Sequence, residues 1–348
     1  LTPRPDRVTS PQRQPEDNSV SSELSPLAAS ALTAWTGEGA APAPLRGAVV
    51  AIGNFDGVHL GHKALLVEAA RLAAAQGRGT KSGGAERLAV GLITFEPHPR
   101  SVFRPDQPVF RLTTPLMRRL LAAENGCEAI AELPFDKPFA ARSAASFIDE
   151  LLLGQIDVAG VVIGGDFAFG RGREGDADML RDRLRAAGRF VSVAAPVLDG
   201  EGGVVSSSRI RDALGQGDVA RANALLGHRW RIAAEVVHGD KRGRLLGYPT
   251  ANMALPPDNR LRHGIYAVRL RIDGAWRGGV ASFGRRPTFD DGAPRLESHV
   301  FDYAGDLYGR TVEVEFAGWI RGELKFDSVD ALIARMDADS LVARGMLG

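Results

Sequence analysis

Ala48-Val49-Val50-Ala51-Ile52-Gly53-Asn54-Phe55-Asp56-Gly57-Val58-His59-Leu60-Gly61-His62 is the stretch on which the reading of the fold turns. Five consecutive apolar residues that stop at a glycine mark a strand buried on both faces. A polar turn follows, and from Ala64 to Gln76 the residues Leu65, Leu66, Ala69 and Leu72 recur at helical spacing. Outward from this unit the rhythm repeats. Leu88–Thr94, Ala129–Leu133, Val158–Ile163 and Phe190–Ala195 read as strands, and Thr114–Asn125, Ser143–Leu153 and Asp178–Ala187 as helices. Strands alternating with helices of this length predict a doubly wound parallel sheet.

Beyond Leu226-Gly227 the pattern changes to short alternating runs: Arg231–Val237, Ile265–Ile272, Gly278–Phe283, Glu297–Phe301 and Thr311–Trp319. Turns such as Asp273-Gly274 and Asp291-Gly292 separate them, which predicts an antiparallel barrel, closed by a helix over Ser328–Met336. The chain thus divides into 47–227 and 228–348. Residues 1–46 are rich in Pro, Ser, Ala and Gly and are expected to form a disordered tail, with a short helix over Leu27–Trp35 the weaker alternative.

Composition narrows the function. With 348 residues, 44% hydrophobic and 24% charged, the chain has the make-up of a globular protein of two domains. Lys plus Arg number 43 against 42 Asp plus Glu, a net charge of +1 that argues against a dedicated nucleic-acid binder. The single cysteine, Cys127, excludes an intrachain disulfide and a multi-cysteine metal site. No apolar run reaches membrane-spanning length and the N-terminus lacks a secretory pattern, so a cytoplasmic location and no membrane partner are expected.

The loop Gly53–His62 leaves the carboxyl end of the first strand, where open α/β sheets bind ligands. A helix opening near Gly61 aims free N–H groups at an anion, and His59 and His62, three apart, share one face. Two imidazoles there suit phosphate oxygens that gain charge in a transition state. A metal pair and purely structural histidines are the competing readings; no third ligand is in sight for a catalytic zinc, and the pairing, the glycines and the position weigh against a structural role. Gly170-Arg171-Gly172-Arg173-Glu174-Gly175 formally matches G-x-G-x-x-G, with Asp199 beyond it, yet it stands too far from its strand to be a dinucleotide turn. Val205-Ser206-Ser207-Ser208-Arg209-Ile210-Arg211 opens a helix; its hydroxyls serve as caps or, with the arginines, as a triphosphate cradle. In the second half, His238-Gly239-Asp240-Lys241-Arg242-Gly243-Arg244 is a glycine-rich basic loop able to wrap phosphates or, equally on composition alone, a plain basic hairpin. Thr250 and Asn252, two apart in an extended strand, turn oxygens to one side and offer hard ligands for Mg²⁺.

These motifs together resemble one family. GNFDGVHLGH is similar to the HxGH signature of nucleotidyltransferases, in the form found in bacterial bifunctional riboflavin kinase/FMN adenylyltransferases (FAD synthetases). TFEPHP at Thr94–Pro99, GGDFAFG at Gly164–Gly170, VSSSRIR at Val205–Arg211, GRLLGYPTAN at Gly243–Asn252 and ESH at Glu297–His299 resemble further family segments in the same order. The resemblance implies a Rossmann-like nucleotidyltransferase domain followed by a Greek-key β-barrel riboflavin kinase domain. It further implies that ATP would phosphorylate riboflavin in the barrel and that FMN would be adenylylated to FAD in the first domain, with pyrophosphate released. His59, His62 and Glu297 are the implied catalytic residues, Glu297 being the general base. Gly53, Phe55, Asp56, Asp166, Ser207, Ser208, Arg211, Gly239, Gly243 and Arg244 would meet ATP. Phe95, Pro97, His98 and Pro99 would line the flavin pocket, and Thr250 and Asn252 would hold Mg²⁺. ATP, riboflavin and FMN are the implied small-molecule substrates. Ala168 and Ser282 depart from the family pattern. A monofunctional enzyme, a cytidylyltransferase acting on another alcohol phosphate, and a non-catalytic flavin- or RNA-binding protein are the rival readings.

Overall fold

The computed structural model describes residues 31–79, 85–239, 243, 246–285 and 294–348. A six-stranded sheet carries the first unit: β1 Ala34–Trp35, β2 Val49–Ile52, β3 Val90–Glu96, β4 Ala129–Pro134, β5 Gly160–Gly164 and β6 Phe190–Ala194. Its order is β1-β4-β3-β2-β5-β6, and every pair is parallel. The chain builds outward from β2 on one side, then returns to lay β5 against its other edge. The β2/β5 boundary is therefore the point where strand order reverses, and a crevice opens beyond the carboxyl ends there. Helices α1 Leu60–Ala75, α2 Pro115–Glu124 and α3 Ala177–Ala186 cover the sheet, with apolar clusters on both faces. The expected helix over Ser143–Leu153 is instead a short α-turn that runs into a π-helix, Phe147–Gln155.

The expectation of a disordered segment through residue 46 is corrected for residues 31–46. Ala34 and Trp35 pair with Ile130 and Ala131, and Trp35, Ala41 and Leu45 are buried. No helix forms at Ala34–Trp35; two apolar residues find an open strand edge, and burial there decides over propensity. Residues 1–30 lie outside the described residues.

Two helices, α4 Ser207–Gln216 and α5 Val219–Leu226, lead to the barrel. Its strands are β7 Arg231–Val237, β8 Ala251–Ala254, β9 Gly264–Ile272, β10 Ala275–Gly284, β11 Arg295–Val300 and β12 Thr311–Arg321, followed by α6 Val329–Leu347. The barrel closes in the order β8-β11-β10-β9-β12-β7, all antiparallel. Three hairpin-linked strands, β9 to β11, with β12 returning beside β9, make the Greek key. The turn expected at Asp291-Gly292 lies outside the described residues. One apolar cluster joins the barrel interior to Ile210, Leu214, Leu225 and Leu226 on α4 and α5 and to Phe110 and Leu112.

Candidate active sites

The loop after β2 is backbone-strained. Phe55 (φ 48°) and Val58 (φ 43°) sit in the left-handed region, where a β-branched residue is rare. Buried Asp56 holds it there: its Oδ1 accepts from the Leu112 and Thr113 N–H groups at 2.9 and 3.0 Å and from the Thr113 hydroxyl at 3.2 Å. Its Oδ2 pairs with Arg211 at 2.5 Å. Gly57 has φ 93°, and a Cβ there would stand 2.9 Å from Leu112 Cδ1. Phe55 and Asp56 thus lie beneath the crevice and do not line it, although the family resemblance implies both as ATP contacts.

His59 caps α1, its Nδ1 accepting from the His62 N–H at 3.3 Å, so its ring proton sits on Nε2. The two imidazoles stack at 3.6 Å and 17°, with Phe55 4.6 Å beyond His62. Burial, with a smaller push from Arg211, takes His59 down to about 4 against the pull of Asp56. Burial and the neighbouring His59 hold His62 well below the ordinary histidine range. At neutral pH both are neutral donors rather than cations. Nδ1 of His62 is buried without a hydrogen-bond partner among the described residues, and such an orphan is uncommon in a finished core.

Across the crevice α4 begins. Ser206 is its cap, accepting from the Arg209 N–H, while Ser207 donates its hydroxyl to Asp56 O at 2.8 Å. Arg211, one turn in, also donates from Nε to Phe110 O at 2.6 Å. Gly53, His59, His62, Asp166, Ser207, Ser208 and Arg211 all line one cleft of about 1670 Å³, at the β2/β5 boundary. Asp199 accepts from the Glu201 and Gly203 N–H groups and pairs with Arg209, which occupies the carboxylate a dinucleotide ribose would need.

The same cleft runs past Phe95, His98 and Pro99; Pro97, joined to Glu96 by a cis peptide, is not among its lining residues. His98 Nδ1 accepts from the Arg100 N–H at 3.2 Å, and burial lowers it to about 4. Phe135 and Phe139 pack on Phe95 at 5.7 and 5.8 Å and extend its apolar wall. Glu96 takes two bonds from Arg111 and one from fully buried Arg118. Burial would raise Glu96, but the two guanidiniums prevail and hold it below the usual carboxylate range. The sequence gives no signal for these pairings, because Arg111 and Arg118 lie 15 and 22 residues away from Glu96.

In the barrel, β8 stands beside β11 with Asn252 opposite Glu297, and β10 stands on the other side with Ser282 opposite Glu297. Directly paired residues share a face. Asn252 is buried; its Nδ2 donates to Thr250 O at 3.3 Å and Oγ1 at 3.4 Å, so the structure brings the two proposed Mg²⁺ ligands together. Gly239 backs this pair, since a Cβ there would meet the Asn252 amide at 2.4 Å. A cavity of about 360 Å³ is lined by Gly243, Thr250, Ser282, Glu297, His299 and Arg321, with Leu332 and Met336 of α6 as its apolar wall. His299 Nδ1–H donates to Pro249 O at 2.9 Å. Arg244 lies outside the described residues. Residues missed at the level of sequence are Tyr248, which bonds Asp337 of α6, and Arg321, which bonds Asp339.

Comparison with known proteins identifies a family for each of the two units. The family model for FAD synthetase matches residues 41–209 and that for riboflavin kinase matches 226–347. A bifunctional riboflavin kinase/FMN adenylyltransferase of Escherichia coli K12 is 40% identical over 88% of this chain and 95% of its own length. That of Bacillus subtilis is 35% identical over 84% and 90%. A solved structure described as a macrolide-efflux protein from Streptococcus pneumoniae superposes with a TM-score of 0.76 at 32% identity, covering 89% of this chain and 97% of that one. Among the described residues no helix is long and apolar enough to cross a membrane.

Proposed function

The chain belongs to the family of bifunctional riboflavin kinase/FMN adenylyltransferases, and from that premise we propose how its residues divide the two reactions of FAD biosynthesis. The boundary between the working parts is placed at Gly227, which the limits of the two family matches support.

In the barrel, Glu297 takes the proton from the terminal ribityl hydroxyl of riboflavin. That oxygen bonds to the γ-phosphorus of ATP, the bridging β–γ bond breaks, and ADP leaves. Thr250 and Asn252 would hold Mg²⁺; the Asn252 amide has its nitrogen toward Thr250 Oγ1, and a half-turn would present its oxygen instead. Mg²⁺, when bound, supplies charge neutralisation for the nucleotide phosphates. Gly239, Gly243 and Arg244 are assigned to those phosphates.

In the first unit, an FMN phosphate oxygen bonds to the α-phosphorus of a second ATP and pyrophosphate leaves. No covalent enzyme intermediate is needed, because the nucleophile is the substrate's own phosphate. Neutral His59 and His62 donate N–H groups to phosphate oxygens as charge develops there. Arg211 and the hydroxyls and free N–H groups at the start of α4 receive the leaving pyrophosphate. Asp166 faces the adenosine, and Phe95, His98 and Pro99 face the flavin. The observation that carries this reading is the meeting of the histidine stack and the start of α4 across the β2/β5 boundary.

Two variants test it with riboflavin, ATP and Mg²⁺. His59→Ala accumulates FMN without FAD. Glu297→Gln makes no FMN from riboflavin, yet converts supplied FMN to FAD. FAD formation by the first variant at the wild-type rate, or FMN formation by the second, would remove that residue from its role.

A further inference from the structure

The mechanism uses Arg211 but does not account for what fixes it. Arg211 is held by Asp56 Oδ2 and Phe110 O, and Asp56 in turn is held by the backbone of Leu112 and Thr113. Residues 110–113 are therefore the rail on which the anion-binding guanidinium and the strained loop both rest. The far side of that rail is gripped by the other functional unit. Trp230, which leads into β7, donates its indole N–H to Leu112 O at 2.9 Å. Its ring stands edge-on to Phe110 at 6.0 Å and lies 4.8 Å from Phe316 of β12. The Trp230 backbone is itself clamped: its N–H donates to Asn223 Oδ1 at 2.7 Å, and Asn223 Nδ2 donates to Phe316 O at 3.0 Å.

We infer that Trp230 is a positioning residue for adenylyl transfer: the barrel holds residues 110–113, and through them Asp56 and Arg211, in the geometry the first cleft needs. Trp230 touches no substrate, being buried away from both cavities. The inference rests on the role given to Arg211 above. It makes the barrel part of the adenylyltransferase and not only its neighbour.

Trp230→Phe keeps an aromatic ring against Phe110 and Phe316 and removes the N–H donor. The kcat for FMN to FAD should fall about 3- to 10-fold, the worth of one buried hydrogen bond, with KM for ATP changed less than about twofold. The kcat for riboflavin to FMN should stay within about twofold, since that chemistry does not use the rail. In an Arg211→Lys background the same change should cost little more, because both act on one element. Parallel losses in both reactions, or an unchanged FMN-to-FAD rate, would overturn the inference. If Arg211→Lys itself leaves FAD formation intact, the assignment of Arg211 fails; if Arg211→Lys is damaging and Trp230→Phe is silent, only the relay fails. Should Trp230→Phe not fold, Asn223→Ala releases the same clamp from the other end. Asn223→Ala with full FAD formation would be equally fatal.

Discussion

Gly61 lies between two histidines whose rings touch, and its lack of a side chain permits that contact. A Cβ at this position would stand 3.1 Å from His59 Cε1 and 3.2 Å from its Nδ1, tighter than ordinary packing. Yet Gly61 belongs to α1, where alanine is the better helix former by up to about 1 kcal/mol. Gly61→Ala should therefore leave Tm unchanged or slightly raised while lowering the FMN-to-FAD kcat about tenfold, a displaced stack being a misplaced donor. A variant with unaltered FAD formation would show that the His59 ring gives way at no cost. The spacing of His59, Gly61 and His62 was legible because all three act within one helical turn. Asp56 was not: the family resemblance marks it as an ATP contact, whereas its partners in the fold, Leu112, Thr113 and Arg211, lie 56 to 155 residues away. Buried carboxylates are satisfied by whatever the fold brings near, and single-sequence spacing carries no record of that.

At the scale of elements, the errors share a cause. The closing helix was expected to stop at Met336 but runs to Leu347, through Ser340 and Gly345. Local propensity argues against that continuation; tertiary contact supports it, since Asp339 and Ala343 are almost wholly buried on the barrel. Asp339 takes two carboxylate oxygens to Arg321 of β12 and a further bond from Arg335. The π-helix at Phe147–Gln155 was hidden for a related reason, because its apolar spacing is that of an ordinary helix and only the backbone bonding differs. Since α6 supplies Leu332 and Met336 to the kinase cavity, its docking should set flavin affinity. Asp339→Ala strips Arg321 of its partner in a half-enclosed site, at a cost of about 3 kcal/mol. Riboflavin KM should rise at least about tenfold with FMN-to-FAD turnover kept, because α6 contributes nothing to the first cleft. An unchanged KM in steady-state assays of riboflavin phosphorylation would detach α6 from substrate binding.

For the whole molecule, the sequence conveyed two units and their order but not how closely they are joined. Apolar periodicity marks a buried face without saying what covers it, and here α4, α5 and residues 110–112 share one cluster with the barrel interior. The junction also concentrates charge. His228 stands there among Lys63, Arg231 and His59, bonds to the Leu226 backbone, and is lowered to about 3 by burial and then by Lys63 and Arg231. Its Nδ1 is buried without a partner among the described residues. With His59 and His98 near 4 and His62 also depressed, several histidines are neutral in the folded chain and titrate near 6.5 once unfolded. The unfolded state then binds more protons between these limits. Their stabilisation is complete above about pH 6.5 and is lost as pH falls toward about 4. Carboxylates such as Glu68, held at about 2 by Arg71, add a loss in the same direction only at lower pH. Tm should hence fall by about 5 °C or more between pH 7 and pH 5, before most carboxylates titrate. His228→Gln, which removes one titrating group at the junction without touching either cleft, should make that slope shallower. Melting curves at half-unit pH intervals that run parallel for the two proteins would mean that His228 accepts its proton in the folded state, and that the junction opens without unfolding.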